Sequence, residues 1–146
     1  RARCLRLPDT KTGASLRPLS RNALSALGAS LRIEGNPLVF PGRSDSRPMT
    51  GLPKRFARMC AQAKLARVTL HTLRHSFATV ANELGLAEAT IAALLGHKLH
   101  TITGRYTHHL DSTLLAAADR VANAIADRLA GQSTQGNVVD LPRRAG

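Results

Sequence analysis

The sequence predicts a mainly helical domain that begins with a small β-hairpin. Of its 146 residues, 43% are hydrophobic, but only 3% are aromatic and Trp is absent. The core must therefore be built from Leu, Ala, Val and Ile, as is common in helical domains. Apolar residues recur at helical spacing after residue 20, whereas two short alternating runs precede it. The length suits one compact domain and is too short for two ordinary ones.

The hairpin is predicted from residues 3–7 and 15–19, which flank a turn-forming Pro-Asp-Thr-Lys-Thr-Gly segment. Pro8 and Pro18 place it at the edge or end of a sheet, because proline cannot donate to the ladder. Lys11 lies at its tip. Such a lysine is ordinarily a solvated turn residue, but on a basic protein it could equally reach into a DNA groove.

Helices are predicted wherever apolar residues form one stripe between capping or breaking residues. Their ranges are residues 21–31, 51–63, 70–84, 88–95 and 112–129, with Ser20 as a plausible N-cap of the first. The stripes expected to be buried are Leu24, Leu27 and Leu31; Phe56, Met59 and Cys60; Leu73, Phe77, Val80 and Leu84; and Leu115, Ala118, Val121, Ala122, Ile125 and Leu129. Residues 35–50 are rich in Pro and Gly and predict a loop. We assign residues 1–131 to the domain and residues 132–146, which lack periodicity, to a mobile tail.

The charge of the chain indicates a polyanionic partner. Lys and Arg number 21 against 9 Asp and Glu, a formal net charge of +12, and nucleic acid is the commonest polyanion. A membrane-surface binder would show a lysine-rich helix with an apolar face, and none is present. Without a spanning segment or a signal sequence, we expect a cytoplasmic protein. Cys4 and Cys60 lack metal-site spacing and are expected to be reduced structural thiols.

Three basic side chains share one face of the third predicted helix. His71, Arg74 and His75 lie at positions i, i+3 and i+4, beside the predicted apolar stripe. Two imidazoles beside a guanidinium can bind an anion, since Arg offers a planar fork of donors. A solvated basic helix face explains the spacing equally well. The HxxxH spacing also admits a metal, but no Glu follows His71 and Arg74 would repel a cation.

Two further candidates follow along the chain. His97 comes directly after Leu-Leu-Gly at a helix end, where an imidazole could turn into a cleft or simply lie on the surface. Tyr106 is the only tyrosine and lies in a polar segment between two helices. A lone tyrosine is ordinarily a packing residue, although this setting slightly favours a role for its hydroxyl.

Together these residue types suit the cleavage of a phosphodiester without a metal. That reaction needs a nucleophile, which a tyrosine can be, and cations that neutralise the charge of the transition state. It also needs an acid for the leaving oxygen, and a lysine of lowered pKa can serve. Composition and spacing alone thus indicate a basic helical protein with a plausible phosphate site.

The ordered motifs resemble a known family. His-Thr-Leu-Arg-His-Ser-Phe-Ala-Thr at 71–79, Leu-Leu-Gly-His at 94–97 and Arg-Tyr-Thr-His at 105–108 resemble, in order and spacing, the signature of tyrosine recombinases (phage integrases). The Thr-Lys-Thr-Gly tip followed by Pro-Leu-Ser resembles the family's catalytic-lysine hairpin. The match covers about residues 3–129, and residues 104–129 further resemble integrases of prophages and genomic islands. The resemblance implies the catalytic-domain fold of DNA breaking-rejoining enzymes.

The resemblance also implies catalytic roles. Tyr106 would attack the scissile phosphate and form a 3′-phosphotyrosyl link. Arg74 would bind the phosphate oxygens, and His97 would donate a hydrogen bond to them. His71 would assist proton transfer at the nucleophile, and Lys11 would protonate the departing 5′ oxygen.

The remaining implications concern supporting groups and partners. His75 matches a position that supports the site without touching the phosphate. Neither a metal nor another cofactor is implied, because the protein–DNA linkage conserves the bond energy. The partners implied are double-stranded DNA and further copies of the chain, as a tetramer on DNA in the full-length protein. The helix at 112–129 could dock on a neighbouring protomer or fold back on its own.

One departure from the family pattern stands out. The family's first catalytic arginine lies well before the hairpin lysine, whereas only ten residues precede Lys11 here. Arg1, Arg3 and Arg6 fall in the predicted strand, where that arginine does not belong. We therefore expect a catalytic domain truncated at its N-terminus, with little or no strand exchange by itself.

Three other functions compete with site-specific integration and excision. The first is a catalytically inert DNA-binding or regulatory module of the same fold. The second is a type IB topoisomerase, which shares the chemistry but usually lacks the compact Leu-Gly-His arrangement. The third is a metal-dependent nuclease built on the histidines.

Overall fold

A computed structural model describes residues 3–8, 13–30, 32–44, 46–97 and 112–132 of the chain. Within these residues the chain forms one two-stranded antiparallel sheet and five α-helices. In chain order they are β1 (Cys4–Leu7), β2 (Ser15–Pro18), α1 (Arg21–Gly28), α2 (Leu52–Gln62), α3 (Leu70–Glu83), α4 (Glu88–Leu95) and α5 (Ser112–Leu129). The predicted fold class, mainly helical with an N-terminal hairpin, is confirmed.

The two strands of the predicted hairpin pair antiparallel. Leu5 lies opposite Arg17 and Leu7 opposite Ser15, and Leu19 adds a rung by donating from its backbone N to the Arg3 carbonyl at 2.9 Å. Pro18 pairs with Cys4 at the end of the ladder, where a missing N–H disturbs the sheet least. The hairpin tip, including Lys11, lies outside the described residues.

Local capping sets the ends of the helices. The Ser20 Oγ accepts from the Ala23 backbone N at 3.1 Å, so α1 begins where the N-cap was predicted. It ends at Gly28, a poor helix former, rather than at residue 31 as predicted. Leu31 itself lies outside the described residues. At the other short helix, Gly96 adopts the left-handed conformation with φ of 75° and ends α4 as expected.

The core is built where α3 crosses α5. Ala81 of α3 and Val121 of α5 are completely inaccessible to solvent, and Val80 is 6% exposed. Six partly buried apolar residues surround them: Phe77, Leu84, Leu86, Ile91, Ala124 and Ile125. Small side chains at the centre let the two helices approach closely. The predicted core of Leu, Ala, Val and Ile is thus observed, with a single aromatic residue, Phe77, at its margin.

Four residues predicted to be buried are exposed. Leu73 is 50% exposed because the first turns of α3 border an open cavity rather than α5. Met59 is 63% exposed because α2 makes no extensive contact with another described helix or strand. Leu24 of α1 is 37% exposed, and Leu129 is 84% exposed on the terminal turn of α5. Helical spacing identifies an apolar stripe, but a packing partner decides whether each residue of the stripe is covered.

One carboxylate joins α5 to the N-terminal elements. The Asp119 Oδ1 accepts from the Arg3 Nη1 at 2.7 Å and from the Arg21 backbone N at 2.8 Å. The hydrogen bond from Arg3, supported by the Arg21 backbone N–H, lowers the pKa of Asp119, and the same bond raises the pKa of Arg3. Asn22 adds a weaker link by donating to the Ala122 carbonyl at 3.3 Å. Strand β1 and the start of α1 are therefore anchored on α5.

Helix α5 packs on its own chain in this structure. It lies against α1, α3, α4 and β2, and Val121 fills the centre of the core. The segment that links it to α4 lies outside the described residues, and docking on another protomer remains a prediction. Among the described helices, none combines the length and the apolar character needed to cross a membrane.

Replacing Asp119 by Asn should lower the melting temperature at neutral pH, because Arg3 and the Arg21 N–H lose their charged acceptor. Asp127→Asn, at an exposed position of the same helix, is the matched control and should change little. A carboxylate of lowered pKa stabilises the fold at pH above its unfolded value of about 4 and ceases to do so as the pH falls through its folded pKa. The difference in melting temperature between wild type and Asp119→Asn should therefore shrink below about pH 4. A difference that stays constant down to about pH 2 would assign the effect to packing instead of charge.

Candidate phosphate-binding site

The first turns of α3 carry most of the candidate residues. A reciprocal capping box fixes where this helix begins: the Thr69 Oγ1 accepts from the Thr72 backbone N at 3.2 Å, and the Thr72 Oγ1 accepts from the Thr69 backbone N at 3.1 Å. His71, Arg74 and His75 follow within two turns, and all three are exposed. By fixing the residue at which α3 begins, the cap helps to determine which side of the helix carries His71, Arg74 and His75 into solvent.

Arg74 joins α3 to the end of α4. Its Nη2 donates to the Leu95 carbonyl at 2.7 Å and lies 2.8 Å from the His97 Nε2. A guanidinium can only donate, so the His97 Nε2 is the acceptor in this contact. Neither contact uses the Nη1 or Nε of Arg74, whose N–H groups can donate to an anion. Two candidate residues 23 positions apart in sequence thus form one site.

His71 and His75 form a second pair on the same helix. Their Nε2 atoms lie 2.9 Å apart, and their rings meet edge to face with centroids 4.3 Å apart. In this contact one Nε2 donates and the other accepts. The pair therefore places two imidazoles in hydrogen-bond contact on the helix that carries Arg74.

The turn after α4 brings His97 to Arg74. The Gly96 backbone N donates to the Ala93 carbonyl at 3.1 Å, and the His97 backbone N donates to the Ala92 carbonyl at 2.8 Å. This pattern reverses the chain directly after the helix. His97 is exposed there, as the sequence led us to expect of a residue after a helix-ending glycine.

A shallow cavity of about 420 Å³ adjoins Arg74. Its lining combines two arginines and a serine with apolar side chains: Arg17, Pro18, Ser20, Ala23, Leu73, Arg74, Phe77, Leu94, Leu95 and Ala118. The exposure of Leu73 follows from its place in this wall. The basic groups of the site thus lie at the rim of the core, as the sequence predicted for the face beside the apolar stripe.

Sequence reasoning missed one basic residue at this site. The Arg17 Nη2 donates to the Gly96 carbonyl at 3.2 Å, so strand β2 reaches the end of α4. The spacing of residues gave no sign of this contact, because Arg17 lies in a short strand without clear periodicity. The contact between Arg17 and the end of α4 can be recognised only in the folded structure, where the hairpin packs against α4.

Two of the predicted catalytic residues cannot be placed. Lys11 and Tyr106 both lie outside the described residues, so their roles rest on the sequence. Within the described ranges, no group of at least three His, Cys, Asp or Glu side chains is arranged to hold a metal ion. The described part of the site contains two guanidiniums, those of Arg17 and Arg74, and three exposed imidazoles, a set that suits an anionic ligand.

Comparison with known proteins gives a consistent result. The model of the phage integrase family matches residues 1–113. Tyrosine recombinase XerC of Erythrobacter litoralis is 31% identical over 123 residues, which cover 82% of this chain and 40% of that protein. Tyrosine recombinase XerD of Brucella suis is 36% identical over 110 residues, 66% of this chain and 35% of that protein. No solved structure gives a significant match.

The chain therefore spans about two-fifths of the length of the curated relatives that it matches. The family match covers both strands, α1 to α4 and the three motifs that carry the sequence resemblance, whereas almost all of α5 lies beyond it. The resemblance drawn from those motifs is confirmed. The chain belongs to the phage integrase family of tyrosine recombinases.

Proposed function

We propose that this chain is the catalytic part of a site-specific DNA recombinase that integrates or excises DNA in the bacterial cytoplasm. The observation that carries the proposal is the 2.8 Å contact between Arg74 on α3 and His97 directly after α4, two exposed groups to which we assign phosphate binding. The family and the printed names of its relatives support the same reaction class.

The proposed first step is attack of the Tyr106 oxygen on a DNA phosphorus. A bond forms between phosphorus and the phenolic oxygen, and the bond to the 5′ oxygen of the next nucleotide breaks. Lys11 supplies the proton that the 5′ oxygen takes up. The reverse reaction with a 5′ hydroxyl of the partner strand completes recombination, and the phosphodiester energy is retained without a nucleotide cofactor or a metal.

Arg74 and His97 would stabilise the charge that develops on the non-bridging oxygens. The unused Nη1 and Nε edge of Arg74 can donate to phosphate while Nη2 holds the Leu95 carbonyl. Because Arg74 keeps His97 in the Nδ1–H form, that N–H can donate to a second oxygen. Because these donors are already oriented before the substrate binds, no free energy is needed to reorient them during the reaction.

His71, supported by His75, would accept the phenolic proton of Tyr106. When the His71 Nε2–H donates to the His75 Nε2, the His71 Nδ1 is left as an acceptor, and this nitrogen can take the phenolic proton as the nucleophile attacks. We assign that role to His71 and assign to His75 the support of its ring orientation and tautomer. Support of this kind resembles the second hydrogen bond that fixes a catalytic histidine in other enzymes.

The first test is covalent trapping on a nicked duplex that carries the recombination site of the element. We expect a DNA–protein adduct that forms equally in the presence of a chelator, and that Tyr106→Phe abolishes, because only the phenol can form the link. Adduct formation that needs a divalent metal would instead support a nuclease. A full-length protein with intact Tyr106 that binds this DNA and never forms an adduct would support the inert binding module.

The same assay tests whether the chain works by itself. We propose that residues 1–146 alone do not exchange strands, since the family's first catalytic arginine precedes the hairpin lysine. Protein extended by its upstream coding sequence should form the adduct efficiently, and residues 1–146 should not. Efficient trapping by residues 1–146 alone would contradict this proposal.

The second test addresses Arg74. Arg74→Gln should slow single-turnover cleavage by about 10²–10³, because a donor aimed at the transition state is lost. Arg74→Lys should restore only part of the rate, since an ammonium keeps the charge but not the planar fork. Arg58→Gln, at an exposed position on α2, is the matched control for the loss of one positive charge. Equal rates for Arg74→Gln and Arg58→Gln at saturating protein would contradict the assignment.

We also propose that the protein acts as a tetramer on two DNA duplexes. The basic charge supports DNA as the partner, and joining two duplexes needs a nucleophile at each cleaved strand. The mass of the purified protein–DNA complex tests this directly. A tetramer bound to two duplexes is the expected result, and complexes of one protomer with one duplex under recombining conditions would contradict it.

A further inference from the structure

We infer that Arg17 is a positioning residue that holds the end of α4, and with it His97, against the hairpin. The inference rests on the proposed function, because it matters only if His97 acts on a phosphate. It differs from the catalytic assignments above, since Arg17 acts here through the protein backbone. Its contact is with the Gly96 carbonyl, in the peptide bond that leads directly into His97.

The end of α4 is held from two directions. Helix C-termini leave carbonyls without helical partners and carry a partial negative charge. Here the Leu95 carbonyl accepts from Arg74 at 2.7 Å and the Gly96 carbonyl accepts from Arg17 at 3.2 Å. One guanidinium comes from α3 and the other from β2. Two consecutive carbonyls before His97 are therefore fixed by separate elements of the fold.

The absence of a side chain at Gly96 leaves room for the Arg17 guanidinium. Its φ of 75° disfavours any side chain, and a Cβ built there would lie 1.8 Å from the Arg17 Cζ and 2.0 Å from its Nη1. The guanidinium thus occupies the space that a side chain at position 96 would fill. The guanidinium that donates to the Gly96 carbonyl therefore also lies directly against the Gly96 backbone.

Arg17 also connects the hairpin to this turn. It lies in β2 opposite Leu5, its side chain is partly shielded from solvent, and β2 packs on both α4 and α5. The hairpin carries at its tip the lysine that we propose as the acid. Arg17 thus links the strand that follows that lysine in sequence to the turn that presents His97. Arg17 and Arg74 both line the cavity beside the site.

Arg17→Met tests the inference because it keeps the length of the side chain and removes its donors. We expect single-turnover cleavage to slow on the order of 10- to 100-fold, as displaced catalytic groups commonly do, with DNA affinity nearly unchanged. Arg17→Lys should recover part of the rate, since an ammonium can still donate to a carbonyl. Arg6→Met is the matched control, because Arg6 is exposed in β1 and pairs with Leu16 on the other face of the hairpin.

Two further measurements separate positioning from general loss of stability. Nitrogen NMR of the His97 ring in the DNA-free protein should show the Nδ1–H tautomer in wild type and a mixture of tautomers in Arg17→Met. Gly96→Ala should already displace the guanidinium, so Arg17→Met should slow cleavage far less in that background than in wild type. A variant that merely weakens the fold would slow cleavage equally in both backgrounds.

The outcomes distinguish this inference from the proposed function. If protein extended by its upstream coding sequence forms the adduct on Tyr106 while Arg17→Met in that protein leaves both the rate and the His97 ring signals unchanged, the inference is wrong and the proposed function stands. If the extended protein forms no adduct but the His97 signals change in Arg17→Met and not in Arg6→Met, the contact is supported and the proposed function fails.

Discussion

The close packing of α3 on α5 underlies everything else in the described structure. Ala81 and Val121 are fully buried where the helices meet, and a larger side chain at either position would separate them. Because α3 also carries Arg74 and both paired histidines, this contact fixes the helix on which the site is built. Helix α4 then packs against both members of the pair and presents His97. The packing of small residues in this core therefore holds in place the helices that carry the site.

Some basic residues of this chain stabilise the fold, and others are available to a ligand. The net charge alone does not distinguish these two roles. Arg3 is neutralised by Asp119, and Arg17 is bound to a backbone carbonyl, so both organise the fold. Arg74 has both roles, because its Nη2 donates to the Leu95 carbonyl while its side chain is exposed to solvent. The same chemistry, a guanidinium on a partial or full negative charge, therefore builds the site and supports the phosphate binding that we propose for it.

Much of the fold could be predicted because helix caps and breakers act locally. Ser20, Gly85 and Gly96 lie at or next to the ends of helices as expected, and His71, Arg74 and His75 share a face because helical geometry requires it. Exposure could not be predicted in the same way: Leu73 and Met59 fit their stripes but lack a covering element. The contact of Arg17 with Gly96 joins residues 79 positions apart and has no periodic signal. Such contacts depend on tertiary packing, which one sequence does not reveal.

We propose that Arg74 and His97 form one phosphate site. The most direct test is an NMR titration of the protein with duplex DNA that carries the recombination site, following the Arg74 side-chain N–H and the His97 ring nitrogens. We expect both sets of signals to move together, at the same DNA concentration, and the His97 signals no longer to respond in the same way in Arg74→Gln. DNA binding that shifts signals elsewhere on the basic surface and leaves Arg74 and His97 unchanged would contradict it.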